Sequence, residues 1–345
     1  AQKAFQHVAI YDTAIAEYLR QDAHGFPEEM TIAMNKRYSL RYGENPHQQA
    51  AFYADVSPGV LVSHSVTWAR QLHGKELSYN NILDLDSALG AVGDFSGPTV
   101  CVVKHNNPCG LATHERLAEA YKRALAGDPV SAFGGIVACN VAVDLETAEA
   151  LAPTFYEAVI APEFAPAALE RLKRKRDLRI LATGPAVTPS PNARYLDLRR
   201  VRGGFLVQTP DAYPDDGIEL KPVTKRSPTP AEVADLRYAW KVVKHIKSNA
   251  IVLARDRALL GMGAGQPNRV TSVKLAVERA GERAQGSVLA SDAFFPFPDG
   301  VEAAAAAGVT AIIQPGGSIR DGEIIAAADK AGMAMVLTGV RHFKH

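Results

Sequence analysis

The chain has 345 residues, 47% of them hydrophobic, so it is long enough to bury more than one core. Its 38 Lys and Arg residues nearly balance 37 Asp and Glu residues, and the net charge of +1 indicates neither a nucleic-acid footprint nor attraction to anionic membranes. Three cysteines without CxxC spacing are typical of reduced thiols in a cytoplasmic protein. The most apolar stretch, 301–313, is too short to span a bilayer, and we expect no signal peptide.

Residues 1–36 are predicted to be a connector with an amphipathic segment at 12–19. The chain starts at Ala1, without an initiator Met and within a segment of helical pattern, so we expect that further chain precedes it. The loop that follows, 41–48, is richer in side-chain hydrogen-bond donors than an ordinary linker.

From residue 84 onward, helical and strand patterns alternate. A helix at 83–95 precedes a strand at 99–103, and a helix at 116–126 precedes the glycine-rich apolar segment 131–140. This alternation predicts an α/β fold with a parallel or mixed sheet covered on both faces.

A turn-rich region at 201–227 marks a boundary between two lobes. The next helix begins with Thr229 as N-cap, Pro230 at the first helical position and Glu232 at the third, which is a capping box, and it ends near Ser248 and Asn249. Short strands are predicted at 251–254 and 258–262. The pattern of the C-terminal part of the chain predicts a βαβαβ unit with right-handed crossovers. Its strands are expected at 287–290, 310–314 and 333–338, and its helices at 301–307 and 323–331.

Lys104 and His105 stand where the apolar run 99–103 breaks into a turn. Ligands of open α/β sheets collect beyond the carboxyl ends of strands, so this pair is a candidate for acid–base catalysis. The Lys104 ammonium would oppose protonation of the imidazole and keep His105 available as a base. An ordinary polar turn accounts for the same residues equally well.

Arg41 and Tyr42 combine a planar bidentate donor with an aromatic hydroxyl, a pair suited to phosphate or carboxylate. The dipeptide by itself favours a surface ion pair for Arg41 and half-buried packing for Tyr42. The glycine-rich turn 261–266, followed by Arg269, resembles an anion site at a helix N-terminus but matches neither GxGxxG nor a P-loop. A tight structural turn is the alternative for these glycines.

Three phenylalanines at 294, 295 and 297 follow a predicted strand and are either a stacking surface for a heteroaromatic ring or part of the core. Asp299 is equally suited to cap the next helix or to bind a ligand. Arg341 follows the last strand and is expected at the same sheet edge. No metal site is predicted, because zinc deaminases need a PCxxC element and only Pro108-Cys109 is present.

Taken together, these segments resemble the transformylase part of the bifunctional AICAR transformylase/IMP cyclohydrolase family, in its bacterial form. The similarity extends in order from about residue 1 to the last residue. The matching segments are RYGENPHQ (41–48), HGKELSYNN (73–81), KHNNPCG (104–110), SAFGG (131–135), KSNAIV (247–252), GAGQPNR (263–269), SDAFFPFPDG (291–300), QPGGSIRD (314–321) and RHFKH (341–345).

The resemblance implies formyl transfer from 10-formyltetrahydrofolate to the 5-amino group of 5-aminoimidazole-4-carboxamide ribonucleotide (AICAR). It implies that His105 is the general base. It also implies that Lys104 either helps to deliver a proton to the folate leaving group or stabilises the developing oxyanion. It assigns Asn249 and Arg269 to the carboxamide and the reacting centre. The remaining matched positions are substrate contacts: Arg41, Tyr42 and Arg341 at the nucleotide, with both arginines near the phosphate, Gly134 and Glu157 at the nucleotide, Phe294 and Phe343 at the ring or nucleotide, and Asp299 at the pterin. Some relatives have Asp where Glu157 stands.

The fold implied is a pair of cytidine-deaminase-like α/β/α lobes without zinc. We expect a first lobe at 37–215, a helical connector at 216–260 and a second lobe at 261–345, with 1–36 remaining from an absent cyclohydrolase domain. The resemblance also implies an intertwined homodimer, in which residues 41, 104, 105 and 157 of one chain meet residues 249, 269, 294 and 341 of the other. The chain should then formylate but not cyclise. Relatives have been associated with potassium, which the sequence neither supports nor excludes.

Two rival interpretations follow from the same segments. A zinc-dependent deaminase would share the fold, but the second cysteine of its motif is missing. A nucleotide-binding protein without turnover would result if the chain could not pair productively with a second copy.

Overall fold

The computed structural model of the chain describes residues 1–20, 25–56, 65–185, 196–212 and 217–345. The predicted lobe boundary between residues 215 and 216 lies outside this part of the chain. The described helices are α1 (Gln2–Leu19), α2 (Tyr79–Gly93), α3 (Leu117–Gly127), α4 (Pro129–Ala132), α5 (Leu145–Leu151), α6 (Pro166–Lys173), α7 (Pro230–Val243), α8 (Arg269–Ala280), α9 (Asp299–Ala306) and α10 (Asp321–Lys330). A 3₁₀ turn at Gly281–Ala284 follows α8.

The described strands of the first half of the chain are β1 (Met34–Leu40), β2 (Ala50–Asp55), β3 (Arg70–His73), β4 (Thr99–Lys104), β5 (Asn107–Thr113), β6 (Ile136–Cys139), β7 (Ala158–Ala161) and β8 (Arg179–Ala182). Those of the second half are β9 (Asp197–Val201), β10 (Gly204–Gln208), β11 (Lys221–Pro222), β12 (Ile251–Arg255), β13 (Ala258–Gly263), β14 (Val288–Ser291), β15 (Ala311–Gln314) and β16 (Ala334–Leu337).

Twelve of these strands form one mixed sheet in the order β11-β16-β15-β14-β12-β13-β5-β4-β6-β7-β8-β3. The two halves of the sheet meet at β5 and β13, where Ala258 pairs with Ala112 and the backbone N–H of Thr113 donates to Arg257 over 3.0 Å. Within the second half, β14, β15 and β16 are parallel, as the βαβαβ pattern predicted. The predicted α/β class is therefore confirmed, with a mixed sheet.

Helices cover both faces of the sheet. On one face, α2 and α7 share a single apolar core with side chains from both halves, including Leu85, Trp240 and Ile313. On the other face, α3, α5 and α6 cover the first half, while α8, α9 and α10 cover the second. The α2–α7 face thus spans the join between the halves and holds the candidate site residues of each half in one rigid frame.

Glycines permit the close approach of helices to the two central strands. A Cβ on Gly110 of β5 would lie 2.0 Å from the carbonyl oxygen of Ala124 in α3, and one on Gly263 of β13 would lie 2.0 Å from that of Ser272 in α8. Side chains at these two positions would push the helices off the sheet. Gly263 therefore serves close packing of α8 on β13, a role that the sequence analysis did not consider for it.

The predicted capping box of α7 is confirmed: Thr229 Oγ1 accepts from the N–H of Glu232 over 3.2 Å, and the Glu232 carboxylate accepts from the N–H of Thr229 over 2.8 Å. The α7 helix ends at Val243, a turn before the predicted end near Ser248. The predicted domain limits remain a prediction, and β12 and β13 pair with each other across the limit at residue 260.

The connector region forms helix α1, in which only Thr13 is buried. Its apolar side chains are largely exposed, among them Phe5 at 76% and Leu19 at 75%. No helix in the described ranges combines the length and apolarity needed to cross a bilayer.

Candidate active site

His105 lies at the tip of the hairpin that joins β4 to β5. Lys104 pairs with Asn107, so His105 and Asn106 are the two central turn residues, with φ of 54° and 60°. Positive φ at both positions is the geometry of a type I′ turn. The turn leaves His105 exposed, while the half-buried Lys104 donates from Nζ to the carbonyl oxygen of Phe133 over 2.8 Å.

Gly134 and Glu157 lie at the same end of the sheet as Lys104. The β6 strand runs antiparallel to β4 and β7 runs parallel to β6, so the residues just before β6 and β7 meet the end of β4. Gly134, with φ of +74°, donates its N–H to Phe155 over 2.8 Å, and Glu157 donates its N–H to Gly135 over 2.9 Å. The Glu157 carboxylate accepts from Nη1 of Arg179 over 2.7 Å.

Arg41 and Tyr42 follow β1, and the guanidinium of Arg41 lies 5.4 Å from the centre of the Tyr42 ring. Their loop contacts the start of α2, where Asn80 Nδ2 donates to the carbonyl oxygen of Glu44 over 3.4 Å. These residues, with Lys104, His105, Gly134 and Glu157, are named here the first group.

A cleft of about 450 Å³ lies on the second half of the sheet. It brings together all six of the predicted site residues from that half, which are named here the second group: Asn249, Arg269, Phe294, Asp299, Arg341 and Phe343. They come from the segment after α7, the start of α8, the segment between β14 and α9, the start of α9, and the C-terminal segment. None of the first group lines this cleft within the described chain.

Arg269 is 6% exposed and is held by an ion pair with the fully buried Asp292. Its Nη1 also donates to Ser291 Oγ over 2.9 Å, and its Nη2 donates to Asn249 Oδ1 over 2.6 Å. Asn249 follows a cis peptide bond from Ser248 and donates from Nδ2 to the carbonyl oxygen of Gln266 over 2.7 Å. The chain thus fixes the orientations of Asn249 and Arg269 before any ligand binds.

The three phenylalanines divide between the two roles considered for them. All three border the cleft, but Phe295 is 1% exposed and belongs to the core, whereas Phe294 and Phe297 are 39% and 50% exposed. On the other side of the cleft, the guanidinium of Arg341 lies 4.3 Å from the centre of the Phe343 ring. The cleft therefore presents aromatic rings and a cation, the groups that suit an aromatic anionic ligand.

The prediction that Asp299 caps α9 is wrong. The helix begins at Asp299 itself, and the N-cap is Pro298, which has no side-chain capping bond. The Asp299 carboxylate accepts from the N–H of Gly300 over 2.8 Å and lies in the first turn, where a helix favours negative charge. Asp299 still lines the cleft.

Two functional features were missed by sequence reasoning. Asp292 anchors Arg269 from the SDAFFPFPDG segment, and its position directly after a strand was the available signal. Arg320 of the QPGGSIRD segment lies 5.0 Å from the ring centre of Phe297, which itself lines the cleft. Nothing in the local pattern distinguished Arg320 from a solvated surface charge.

Asp94, the C-cap residue of α2, is paired with His245 over 2.6 Å and with Lys244 over 2.8 Å. Burial acts to raise the pKa of Asp94, but the hydrogen bonds and charges of His245 and Lys244 outweigh it and lower that pKa to about 2. Burial lowers the pKa of His245 in spite of Asp94. The cluster connects α2 to the segment that leads into Asn249.

The rival interpretation, a zinc-dependent deaminase, needs a set of side chains that could hold the metal. In the described ranges, no three His, Cys, Asp or Glu side chains lie close enough together to do so. The three cysteines are buried, and burial raises the pKa of Cys109 to about 12.

The chain is similar to proteins of one known family. A family model described as AICARFT/IMPCHase bienzyme matches residues 1–279. The "Bifunctional purine biosynthesis protein PurH" of Myxococcus xanthus is 53% identical over 349 residues, which cover 100% of this chain and 67% of that protein. The protein of the same name from Bacillus cereus is 54% identical over 346 residues, covering 100% of this chain and 66% of that protein. The chain spans about two thirds of the length of these relatives. It belongs to the AICARFT/IMPCHase bienzyme family.

Proposed function

We propose that the chain transfers a formyl group from 10-formyltetrahydrofolate to the 5-amino group of AICAR, within purine biosynthesis. The observation that carries this proposal is the cleft that unites the second group around a preoriented Asn249–Arg269 pair. IMP cyclohydrolase activity, the other activity in the family's name, is proposed only for a full-length parent. The finer description of the fold, two cytidine-deaminase-like lobes without zinc, is part of the proposal.

The exposed imidazole of His105 takes the proton that the 5-amino group loses as its nitrogen attacks the formyl carbon. The amine is a weak nucleophile because its lone pair is delocalised into the ring and the carboxamide, so proton removal must accompany attack. The new C–N bond creates a tetrahedral oxyanion, which the Lys104 ammonium stabilises. Breaking the bond from the formyl carbon to N10 of the folate then releases tetrahydrofolate, with a proton delivered to N10 through Lys104.

The remaining residues bind and orient. Arg341 and Arg41 neutralise the phosphate, Tyr42, Gly134 and Glu157 contact the nucleotide, and Phe294 and Phe343 pack against its ring. Asn249 and Arg269 hold the carboxamide, and Asp299 accepts from the pterin. Burial of Arg269 strengthens its electrostatic interaction with the reacting centre, because the protein interior screens that interaction less than water does.

The separation of the two groups supports a homodimer with shared sites. The first group carries the base and the second group the cleft, so neither is a complete site. We propose that each site combines the first group of one subunit with the second group of its partner. The largely exposed apolar face of α1, with Phe5 and Leu19, is surface that such pairing would cover.

Mixed dimers test this arrangement. His105→Ala and Asn249→Ala chains, each inactive alone, are unfolded together, refolded as a mixture and assayed by folate absorbance, with dimer mass measured in parallel. Shared sites restore one intact site in each hybrid dimer, so the mixture should recover about one quarter of the wild-type rate. If verified hybrid dimers recover no activity, the proposal of shared active sites is wrong. If the wild-type chain transfers no formyl group, the proposed function is wrong.

The alternative, a nucleotide-binding protein without turnover, is distinguished by the same samples. It predicts that wild-type chain binds AICAR, as measured by calorimetry, while folate absorbance stays constant.

A further inference from the structure

The turn that carries His105 has a backbone conformation that its residues do not favour. His105 and Asn106 both have positive φ and neither is glycine. Side chains with a Cβ enter this left-handed region at an energetic cost, although Asn tolerates it better than most residues. A type I′ turn of this sequence therefore needs contacts outside the turn to maintain it.

Those contacts come from α2, and Asp84 provides the shortest. Its Oδ1 accepts from the backbone N–H of Asn106 over 2.6 Å. The side-chain amide of Asn106 also faces α2. With the amide assigned so that its oxygen and nitrogen both have suitable partners, its nitrogen lies 3.0 Å from the carbonyl oxygen of Leu83, 3.1 Å from Ser87 Oγ and 3.2 Å from Asp84 Oδ1. The turn is thus bonded to one helical turn of α2 through both the backbone and the side chain of Asn106.

The α2 helix is a rigid support for this contact. Ser78 caps it with a capping box, and Leu85, adjacent to Asp84, is fully buried in the core that both halves share. By contrast, the ring nitrogens of His105 have no hydrogen-bond partner within the described part of the chain. The position from which the imidazole projects is consequently set by the turn backbone.

We infer that Asp84 is a positioning residue for formyl transfer, which aims His105 by fixing the N–H of Asn106. This inference rests on the proposed function, in which His105 is the base. In this role Asp84 acts through the turn and not by contact with a ligand. A general base must lie within hydrogen-bond reach of the proton it removes, so a shift of the turn by about 1 Å is sufficient to cost on the order of 10²-fold in rate.

Asp84→Ala and Asp84→Asn test the inference together. Alanine removes the acceptor, whereas asparagine keeps an Oδ1 that accepts from the Asn106 N–H. We expect Asp84→Ala to lower kcat by about 10²-fold with the KM for AICAR unchanged, because the ground-state nucleotide contacts remain. Asp84→Asn should recover most of the lost kcat.

Asp144→Ala is the matched control. Asp144 Oδ1 accepts from the N–H of Thr147 over 2.8 Å, so this variant loses the same kind of bond at α5, which carries none of the candidate site residues. Urea unfolding should show a similar loss of stability for both alanine variants, and kcat per folded molecule should fall only for Asp84→Ala.

Three results would overturn the inference while wild-type chain transfers formyl: wild-type kcat in Asp84→Ala, an Asp84→Asn variant as slow as Asp84→Ala, or an equal loss of kcat in the Asp144→Ala control. A wild-type chain that transfers no formyl group would overturn the proposed function, and this inference with it.

Discussion

Arg269 and Asn249 are joined by a hydrogen bond of 2.6 Å from Nη2 to Oδ1, although 20 positions separate them in the chain. The bond connects the start of α8 to the segment before β12, and it uses Asn249 Oδ1 before a ligand arrives. Asp292, on the far side of the guanidinium, completes the support. This arrangement makes the floor of the cleft rigid, and it suggests where changes should affect stability and where they should affect turnover.

Replacing His105 by alanine should abolish formyl transfer while leaving AICAR binding intact. The imidazole is exposed and its ring contributes no hydrogen bond to the fold, so its loss should cost on the order of 10²–10⁴-fold in kcat without loss of stability. Stopped-flow folate absorbance and calorimetric AICAR titration check the two halves of this expectation. If the His105→Ala variant transfers formyl at the wild-type rate, His105 is not the general base.

Arg341→Ala should chiefly raise the KM for AICAR. The guanidinium is exposed at the rim of the cleft, stacked 4.3 Å from the Phe343 ring centre, and makes no ion pair in the described chain. A phosphate contact made equally in ground and transition states changes KM without changing kcat, here by about 10-fold to 100-fold. Initial rates over a range of AICAR concentrations measure both constants. An effect on kcat alone would contradict the phosphate assignment.

Asp292→Ala should destabilise the fold, because it leaves the buried Arg269 guanidinium without its carboxylate. Removal of one partner of a buried ion pair costs about 3–5 kcal/mol. Equilibrium urea unfolding measures the change. Arg176→Ala is the control, since Arg176 is 88% exposed where it pairs with Asp177, and such exposed pairs contribute little to stability. Equal losses in the two variants would argue against the buried pair as a structural anchor.

Glu232 should contribute stability that is lost in acid. Burial acts to raise its pKa, but hydrogen bonds from Arg226 and from the N–H of Thr229 outweigh it and lower the pKa from 4.5 to about 2. A carboxyl whose pKa is lower in the folded state stabilises the fold above its unfolded pKa, and that contribution disappears as pH falls through the folded pKa.

Wild-type chain should therefore exceed Glu232→Gln in free energy of unfolding at pH 7, and the gap should narrow as pH falls from about 4.5 towards 2. Urea titrations at a series of pH values measure the gap. A gap that is independent of pH would mean that the Glu232 charge adds nothing beyond the capping hydrogen bond.

Local patterns predicted the elements whose causes are local. The capping box at Thr229, the apolar run of β4 and the alternation that ends in three parallel strands depend on neighbours within a few residues, and all are present. The cap assigned to Asp299 was wrong because Pro298 already occupies the N-cap position, so Asp299 is inside the first turn.

The sequence by itself determined the α/β class, the family and the segments from which the cleft is built, because spacing and residue type are properties of the chain. Only the tertiary structure decided which phenylalanine is core, which carboxylate holds Arg269 and which helix supports the His105 turn. The contacts behind these outcomes join residues well beyond one helical turn or one strand: Asp292 lies 23 positions from Arg269, and Asp84 lies 22 positions from Asn106. No local pattern encodes such contacts.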